Sequence, residues 1–326
     1  MKKNNINNEK IDLLKYFFSL CVVAIHIHPI NGDSSSILFR IYLSILELAV
    51  PFFLCCTGYF IQNKMLKNND ELNILKGTIK KYLKIYIKYT LIYMPFTFYF
   101  YITNRESLIH NIFDFFRGLF IVGEHFNSWI LWYILAILYS LSIMYILVKY
   151  KFKKSTIFSI SLIMYFFGIV IDFCINKSIV FYGINLFSIL KKIFVSGRIF
   201  KCMLYILIGM LICQKHLKAK KYYPISFFLV IILTSFFEID MSFITIPIST
   251  YLVFVISVND KINLNFQTKY IRKISQNMYF WHLYVWGAIS LIFYNKFVYG
   301  IYMYIFVIVI INILSILKIF INNKNN

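Results

Sequence analysis

Charged residues, and acidic residues above all, are scarce in this chain of 326 amino acids. Asp and Glu number 13 against 34 Lys and Arg, and charged residues make up 14% of the chain, whereas a soluble domain carries about 25%. Proline occurs five times beside 35 Phe and 26 Tyr, which excludes collagen-like and disordered chains. Hydrophobic residues reach 60%. This composition leaves too little polar surface for a water-facing protein and predicts one that lies in a lipid bilayer.

Apolar stretches long enough to cross a bilayer occur ten times along the chain. A helix needs about 20 mainly apolar residues to span the hydrocarbon core. The predicted spans cover residues 13–30, 37–62, 85–103, 128–148, 156–175, 199–214, 222–238, 242–258, 275–294 and 299–321. Residues 107–122 instead show an amphipathic pattern that predicts a surface helix, and residues 179–190 fit a re-entrant or interfacial helix. The sequence therefore predicts one all-α, polytopic membrane helix bundle over residues 1–326.

The formal net charge of +21 is explained by membrane orientation. With the N-terminus in the cytoplasm, 24 of the 34 basic residues fall on cytoplasmic segments. Such a bias is typical of cytoplasmic loops, so we predict cytoplasmic N- and C-termini in a multi-pass protein of the cytoplasmic membrane. Nucleic-acid binding is not needed to explain the charge, because the basic residues are dispersed among short loops and no recognition fold is evident.

The six cysteines lie in apolar segments, and none belongs to a Cys-x-x-Cys pair. This placement is typical of small residues in a packed core. We therefore predict no metal site, no disulfide and no bound cofactor.

Helix 1 carries the richest set of polar groups. Ionisable side chains inside a bilayer are costly, which makes each a candidate functional residue. Lys15 and His26 are eleven positions apart, so on a helix they lie within about 20° of the same face and roughly 16 Å apart along the axis. Asp12 and Ser19 share this face. The stripe predicts either a polar cavity in which His26 acts as a base, or interfacial Asp12 and Lys15 with a packing histidine.

Three other places carry ionisable groups with two interpretations each. Glu47 lies four residues before Pro51 in an apolar run and is either protonated or paired with a basic residue. Lys81 and Lys84 share a helix face, which suits the phosphates of an anionic ligand but also an ordinary positive-inside cluster. His282 lies among apolar residues and is either a packing or a functional histidine.

Several short strings occur in an order that is similar to a known family. Ile11–Lys15 followed by Val22–His26 places a basic residue ahead of a histidine with ten residues between them. Val50–Tyr59 is an apolar run that ends in Thr-Gly-Tyr, and Lys81 and Lys84 form a Lys-x-x-Lys pair at the start of the third span. These strings resemble the acyltransferase-3 family of integral membrane acyltransferases, which has Arg or Lys before the histidine, Ser-Gly-Tyr or Ser-Gly-Phe, and Arg-x-x-Arg.

The resemblance continues to the ninth predicted span and includes departures. Ser128–Tyr133 is similar to the family's Trp-Tyr-Leu segment, and Ile274–His282 resembles its penultimate-helix segment. Lysine replaces the usual arginine at all three positions, which loses the bidentate fork, and Thr57 replaces serine. Ala24–His26 and Ala49–Phe53 also resemble the membrane half of the serine racemases of vancomycin resistance, a half that is associated with serine uptake.

The resemblance implies transfer of an acetyl or short acyl group to a hydroxyl of a cell-envelope glycan or a lipid-linked sugar. The donor would be a cytoplasmic acyl-CoA, acetyl-CoA above all, as co-substrate. His26 would be the catalytic histidine, either as the base or as a transient acyl carrier. Lys15, with Asp12 nearby, would orient the site or stabilise developing negative charge.

The same resemblance implies that Lys81 and Lys84 hold the phosphates of CoA, and that Tyr133 and His282 line the site. A permease for a small polar solute such as serine is the alternative, in which the polar stripe of helix 1 binds solute or relays protons. The sequence shows no inverted repeat and 11 Gly, few for the broken helices of many transporters. A catalytically silent relative that serves in envelope assembly is a third possibility.

Overall fold

The computed structural model describes residues 9–33, 35–104, 106–176, 180–181, 184–236, 242–259 and 268–324. Within these ranges the protein is helical apart from one antiparallel pair of two-residue strands. Contacts between residues divide the chain into two compact units, which are Met1–Phe53 with His216–Asn326, and Leu54–Lys215. The division falls inside one helix, Ala49–Asn68.

The first unit contains the two ends of the chain. Its helices are α1 (Glu9–Ile27), α2 (Ile37–Glu47), the first five residues of α3 (Ala49–Asn68), α10 (Tyr223–Phe236), α11 (Ser242–Asn259), α12 (Thr268–Tyr294) and α13 (Ile301–Lys324). The helix α1 packs against α12 and α13, and α10 packs against α2 and α11.

The second unit contains the remainder of α3 and the central helices. These are α4 (Glu71–Thr103), α5 (Leu108–Arg117), α6 (Leu131–Lys149), α7 (Lys154–Asn176), α8 (Leu186–Phe194) and α9 (Arg198–Gln214). A π-helical turn, Gly118–Val122, follows α5, and the strands β1 (Val180–Phe181) and β2 (Ile184–Asn185) precede α8. The helix α6 packs between α4 and α9, and α9 also packs on α7.

A helix lies at each of the ten predicted apolar segments. By length and hydropathy, four stretches of the described residues are candidate membrane spans, namely Ile37–Asn68, Leu131–Lys149, Lys154–Asn176 and Ile301–Ile321. The helices α10 and α11 are apolar but shorter. Charged residues in the first two turns of α1 and along the first half of α4 make these helices more polar. The described residues therefore form a helical membrane protein with these four candidate spans, and the ten-span topology stays a prediction.

Large apolar side chains point outward from several of these helices. Tyr302 on α13 is 88% exposed and Ile163 on α7 is 67% exposed, and Phe173 and Phe320 are also exposed. Continuous exposed apolar surface is rare on soluble monomers. Such surface is expected where a helix faces hydrocarbon.

The predicted single helix over residues 37–62 is interrupted at Leu48, between α2 and α3. Pro51 has no N–H group, so it cannot donate to the carbonyl of Glu47 as an ordinary helical residue would. At the same place, the Leu48 N–H bonds to the Ile45 carbonyl at 3.2 Å, three residues back rather than four, which is a tighter turn. Glu47 consequently ends α2 in an exposed position.

Close approach of two helix backbones organises the second unit. A Cβ atom at Gly58 on α3 would overlap the carbonyl oxygen of Ile206 on α9, and one at Gly209 would overlap the carbonyl oxygen of Cys55. The Cys55 thiol donates to the carbonyl of Tyr205 at 3.2 Å across the same contact. All six cysteines of the chain are buried, as predicted for small core residues.

Residues 107–122 and 179–190 were predicted not to cross the membrane. In α5, where an amphipathic surface helix was predicted, every residue is exposed or half-buried. Part of the predicted re-entrant or interfacial segment, residues 179 and 182–183, lies outside the described residues. The described remainder forms β1, β2 and α8.

Candidate functional site

The polar stripe of α1 faces α12, and the two helices run parallel. Asp12 contacts Arg272, the carbonyl of Lys15 accepts a hydrogen bond from the Ser275 hydroxyl at 2.9 Å, and His26 contacts His282. The residue numbers rise together on both helices, which defines the parallel direction. These three contacts place the polar groups of α1 at an interface within the first unit.

Asp12 and Arg272 form a two-bond ion pair near the start of both helices. Arg272 Nε donates to Asp12 Oδ1 at 2.9 Å, and Arg272 Nη2 donates to Asp12 Oδ2 at 2.6 Å. Asp12 is 1% exposed, so its carboxylate depends on this partner for its charge. Hydrogen bonding to Asp12 raises the pKa of Arg272. Asp12 was predicted to line the site, and its carboxylate links α1 to α12 through this ion pair.

His26 and His282 lie side by side further along the same interface. Their ring centroids are 5.4 Å apart, with 31° between the ring planes. His282 is fully buried, and its Nδ1 lies 2.9 Å from the carbonyl of Met278. A carbonyl accepts hydrogen bonds, so Nδ1 carries the proton and Nε2 has the lone pair. Among the described residues, this Nε2 is buried without a hydrogen-bond partner.

The end of α1 that carries His26 is held by the chain that leads into α13. The Gly300 N–H donates to the carbonyl of Ile27 at 3.0 Å, and the Tyr304 hydroxyl donates to the carbonyl of Leu20 at 3.3 Å. Gly300 has a φ of +108°, which favours glycine. Contacts on two sides therefore fix the position of the His26 backbone.

Lys15 and Ser19 complete the stripe. The Lys15 side chain is half-buried, and its backbone, rather than its ammonium group, makes the contact with Ser275. The Ser19 hydroxyl donates to the carbonyl of Tyr16 at 2.7 Å, within its own helix. The stripe predicted from spacing thus contains one ion-paired carboxylate, one half-buried ammonium group and one histidine beside a second histidine.

Lys81 and Lys84 belong to the second unit, on an exposed face of α4. The ammonium nitrogen of Lys81 lies 6.0 Å from the ring centroid of Tyr82. The hydroxyl of Tyr82 is 3.2 Å from Oγ1 of Thr57 on α3. Thr57 of the Thr-Gly-Tyr string therefore contacts α4 at Tyr82, which lies between Lys81 and Lys84 in the sequence.

Tyr133 is buried at the start of α6, also in the second unit. The neighbouring Trp132 ring stacks with the guanidinium of Arg198, whose Cζ lies 4.6 Å from the ring centroid. Arg198 also forms an ion pair with Glu124. Sequence reasoning missed this pair, because Glu124 and Arg198 are distant in sequence and the Trp-Tyr string was the one local signal.

His125, which is buried like His282, lies in the loop between the π-helical turn and α6. Its ring stacks on Phe115 with centroids 5.1 Å apart, and among the described residues neither ring nitrogen has a hydrogen-bond partner. Burial, with a contribution from the positive charge of Arg117, lowers the pKa of His125 to about 4. This histidine is therefore neutral at physiological pH. Within the described ranges, no group of three or more His, Cys, Asp and Glu residues could hold a metal ion.

Comparisons with known proteins match nearly the whole chain to one family and part of it to a group of racemases. A family model described as an acyltransferase domain, of the acyltransferase-3 type, matches residues 8–320. An amino-acid racemase of Enterococcus faecalis is 29% identical over 159 residues, which are 49% of this chain and 21% of the racemase. A serine/alanine racemase of Enterococcus gallinarum is 32% identical over 101 residues, 29% of this chain and 14% of the racemase.

These alignments cover about a fifth or less of the length of the curated relatives. No solved structure matches the chain.

Proposed function

The chain belongs to the acyltransferase-3 family, and from that premise we propose that it transfers an acetyl or other short acyl group from acyl-CoA to a hydroxyl group. The acceptor in this proposal is a cell-envelope glycan or a lipid-linked sugar. Family membership supports membrane acyl transfer in general. The donor, the acceptor and the residue roles below are parts of the proposal.

The observation that carries the proposal is the contact of His26 with His282 between α1 and α12. In the proposed reaction His26 removes the proton of the acceptor hydroxyl as the hydroxyl oxygen attacks the thioester carbonyl. The carbon–sulfur bond then breaks, and the His26 imidazolium returns the proton to the sulfur, so that CoA leaves as the thiol. An imidazole suits this role because its ordinary pKa is near 6.5. His282, fixed through Nδ1 on Met278, positions the ring of His26 through the contact between the two rings.

Three lysines have roles in the proposed reaction. Lys15 orients the site or stabilises the negative charge that develops on the thioester oxygen. Lys81 and Lys84 hold the phosphates of acyl-CoA, which is supported by their exposure on one face of α4. Lysine ammonium groups would act as point charges rather than as bidentate forks. Tyr133 is proposed to line the site.

The proposal includes a topology of ten membrane-spanning helices with both termini in the cytoplasm. These helices form a single protein domain, which lies in the cytoplasmic membrane. The parallel direction of α1 and α12 supports it. Two parallel spans in one chain require an odd number of spans between them. The ten-span topology has seven between the first and the ninth.

Radiolabelled acetyl-CoA and purified full-length protein in nanodiscs test the proposal. Wild-type protein is expected to transfer label to an envelope glycan fraction or to hydrolyse the thioester, and His26→Ala to lose about 10²–10⁴-fold of the rate. His28→Ala is the matched control, because His28 is exposed just beyond the end of α1 and its loss should leave the rate unchanged. A folded His26→Ala protein with full turnover would overturn the assignment.

A permease for serine or a similar amino acid is the second candidate. Two observations favour it, namely the racemase relatives and the helix break at Leu48, since interrupted helices form solute sites in many transporters. Proteoliposomes with labelled serine and no acyl-CoA separate the two functions. Saturable uptake without acyl transfer would favour the permease, and acyl transfer without uptake the enzyme.

A further inference from the structure

The second unit contains a cavity of about 300 Å³ that the proposed reaction does not use. Its inner wall is apolar and includes Met65, Met144, Leu207 and Met210, from α3, α6 and α9. Met65 and Met144 are buried. Methionine side chains are unbranched and adapt to flexible apolar ligands. An apolar chamber of this kind holds water poorly, since water needs two to four polar partners.

The rim of the cavity is charged, and the turn between α6 and α7 builds it. The Phe152 N–H bonds to the Leu147 carbonyl at 3.0 Å, and the Lys151 N–H bonds to the Val148 carbonyl at 2.9 Å. This pattern is a Schellman motif. Lys151 takes the left-handed position, with a φ of +58°. The motif brings Lys151 and Phe152 to the cavity, which both residues line, and both are exposed.

The charged residues that line the cavity carry a net positive charge. Lys151, Lys154 and Glu71 are the charged residues that line the cavity, together with the amides of Gln62 and Gln214. Two ammonium groups and one carboxylate leave a net charge of +1. An anionic group with further hydrogen-bonding atoms complements this rim, because the lysines bind its charge and Glu71 accepts from any hydroxyl.

We propose that this cavity binds a single-chain anionic lipid, with its fatty acyl chain in the apolar chamber and its acidic head group on Lys151 and Lys154. A methylene group is similar in size to a water molecule, which occupies about 30 Å³ in the liquid, so the chamber takes a chain of about ten carbons. The occupant is a membrane lipid. This site is independent of the proposed acyl transfer and of Lys81 and Lys84.

The size of the chamber sets a limit on chain length that an experiment can detect. Each buried methylene strengthens binding by about fourfold. The gain should continue to about ten carbons and then stop, because further carbons have no apolar wall to contact. Partition of the lipid into the bilayer also increases with the length of its acyl chain. Because this effect is the same for every protein in the same bilayer, the measurement compares wild-type and variant proteins under that condition.

The test uses the full-length protein in nanodiscs with a decanoic acid that carries a photoreactive diazirine at its chain end. Label is located by mass spectrometry, and saturated fatty acids of six to sixteen carbons compete with it. We expect label on α6 or α9 at the chamber wall. Met210→Trp, which fills the chamber, should reduce that label at least tenfold. Ile163→Trp on the exposed face of α7 is the matched control and should leave the label unchanged.

A separate double variant tests the contact between the acidic head group and the two lysines. Lys151→Gln with Lys154→Gln should weaken competition by decanoic acid about tenfold and leave competition by decanol unchanged. A second filling variant, Leu207→Phe, repeats the test if Met210→Trp does not fold. Label of equal intensity in wild type and a folded filling variant, or label confined to lipid-facing residues, would overturn the proposal. Acetyl transfer by the filling variants is expected at the wild-type rate.

Discussion

The carboxylate of Asp12 and the guanidinium of Arg272 form two hydrogen bonds, at 2.9 and 2.6 Å, between residues 260 positions apart. Three residues further along each helix, Lys15 and Ser275 make the next contact. A two-point contact with this spacing fixes both the register and the rotation of α1 on α12. The pair therefore sets where the side chain of His26 meets His282.

Removal of either partner should destabilise the protein and weaken the candidate site. Asp12→Asn leaves the Arg272 guanidinium without its carboxylate, and Arg272→Gln leaves a buried carboxylate without a cation. Each change should lower the free energy of unfolding by about 2 kcal/mol, the scale of hydrogen bonds to charged groups. The measurement is unfolding in detergent, with acyl transfer measured on the same samples.

The double variant Asp12→Asn/Arg272→Gln is the control for that pair. It should be no less stable than either single variant, because the second substitution removes the charge that the first left unpaired. Additive losses in the double variant would contradict a direct interaction.

The residues of this interface were partly predictable. Helical periodicity indicated that Asp12, Lys15 and His26 share a face, and His282 was a candidate by itself. Periodicity identifies a face of one helix and carries no information on which distant helix covers it. Arg272 lies outside the predicted span 275–294 and was not a candidate residue, and the contact between the two histidines was not foreseen.

The interruption of α2 and α3 shows a different limit. The cause, Pro51 four residues after Glu47, is visible in the sequence. Proline in a membrane helix is often tolerated, since neighbouring groups satisfy the freed carbonyl, so a continuous span was predicted. The break at Leu48 and the exposed position of Glu47 follow from the backbone geometry at the end of α2, which the proline alone does not determine.

Lys81 and Lys84 are expected to affect donor affinity and not turnover. Lys81→Gln/Lys84→Gln should raise the KM for acetyl-CoA roughly tenfold, since each exposed charge contact contributes up to about 1 kcal/mol, with kcat unchanged. Lys76→Gln is the matched control, an exposed lysine on another face of α4. Lys81→Arg/Lys84→Arg should keep the wild-type KM. A fall in kcat with constant KM would contradict a donor-binding role.

Gly58 and Gly77 should respond in opposite directions to the same substitution. A methyl group at Gly58 would overlap the backbone of Ile206, so Gly58→Ala should destabilise the protein by about 1–3 kcal/mol. Nothing lies within 4 Å of a Cβ at Gly77, so Gly77→Ala on α4 should stabilise it by about 0.5–1 kcal/mol. Thermal unfolding of both variants in one detergent measures the contrast. A stable Gly58→Ala protein would show that α3 and α9 separate without cost.

His125 should make the stability of the protein depend on pH between about 6.5 and about 4. The ring is 8% exposed, and its folded pKa of about 4 lies below the unfolded value of 6.5. In this window the unfolded chain binds a proton that the folded chain does not. Stability therefore falls as pH falls, by about 3 kcal/mol in total, and the loss is complete below pH 4. Unfolding measured from pH 7.5 to 4 should follow this course.

His125→Phe isolates that contribution, since phenylalanine keeps the stacking on Phe115 and cannot bind a proton. All other ionisable groups remain in both proteins, so subtraction of the two pH profiles leaves the contribution of His125 alone. We expect the variant to match or exceed the wild type at pH 7, because the buried ring nitrogens have no hydrogen-bond partner among the described residues. Its advantage should grow as the pH falls to 4. Parallel profiles would show instead that the ring of His125 is solvated when protonated, and that it does not lie closed off beneath Phe115.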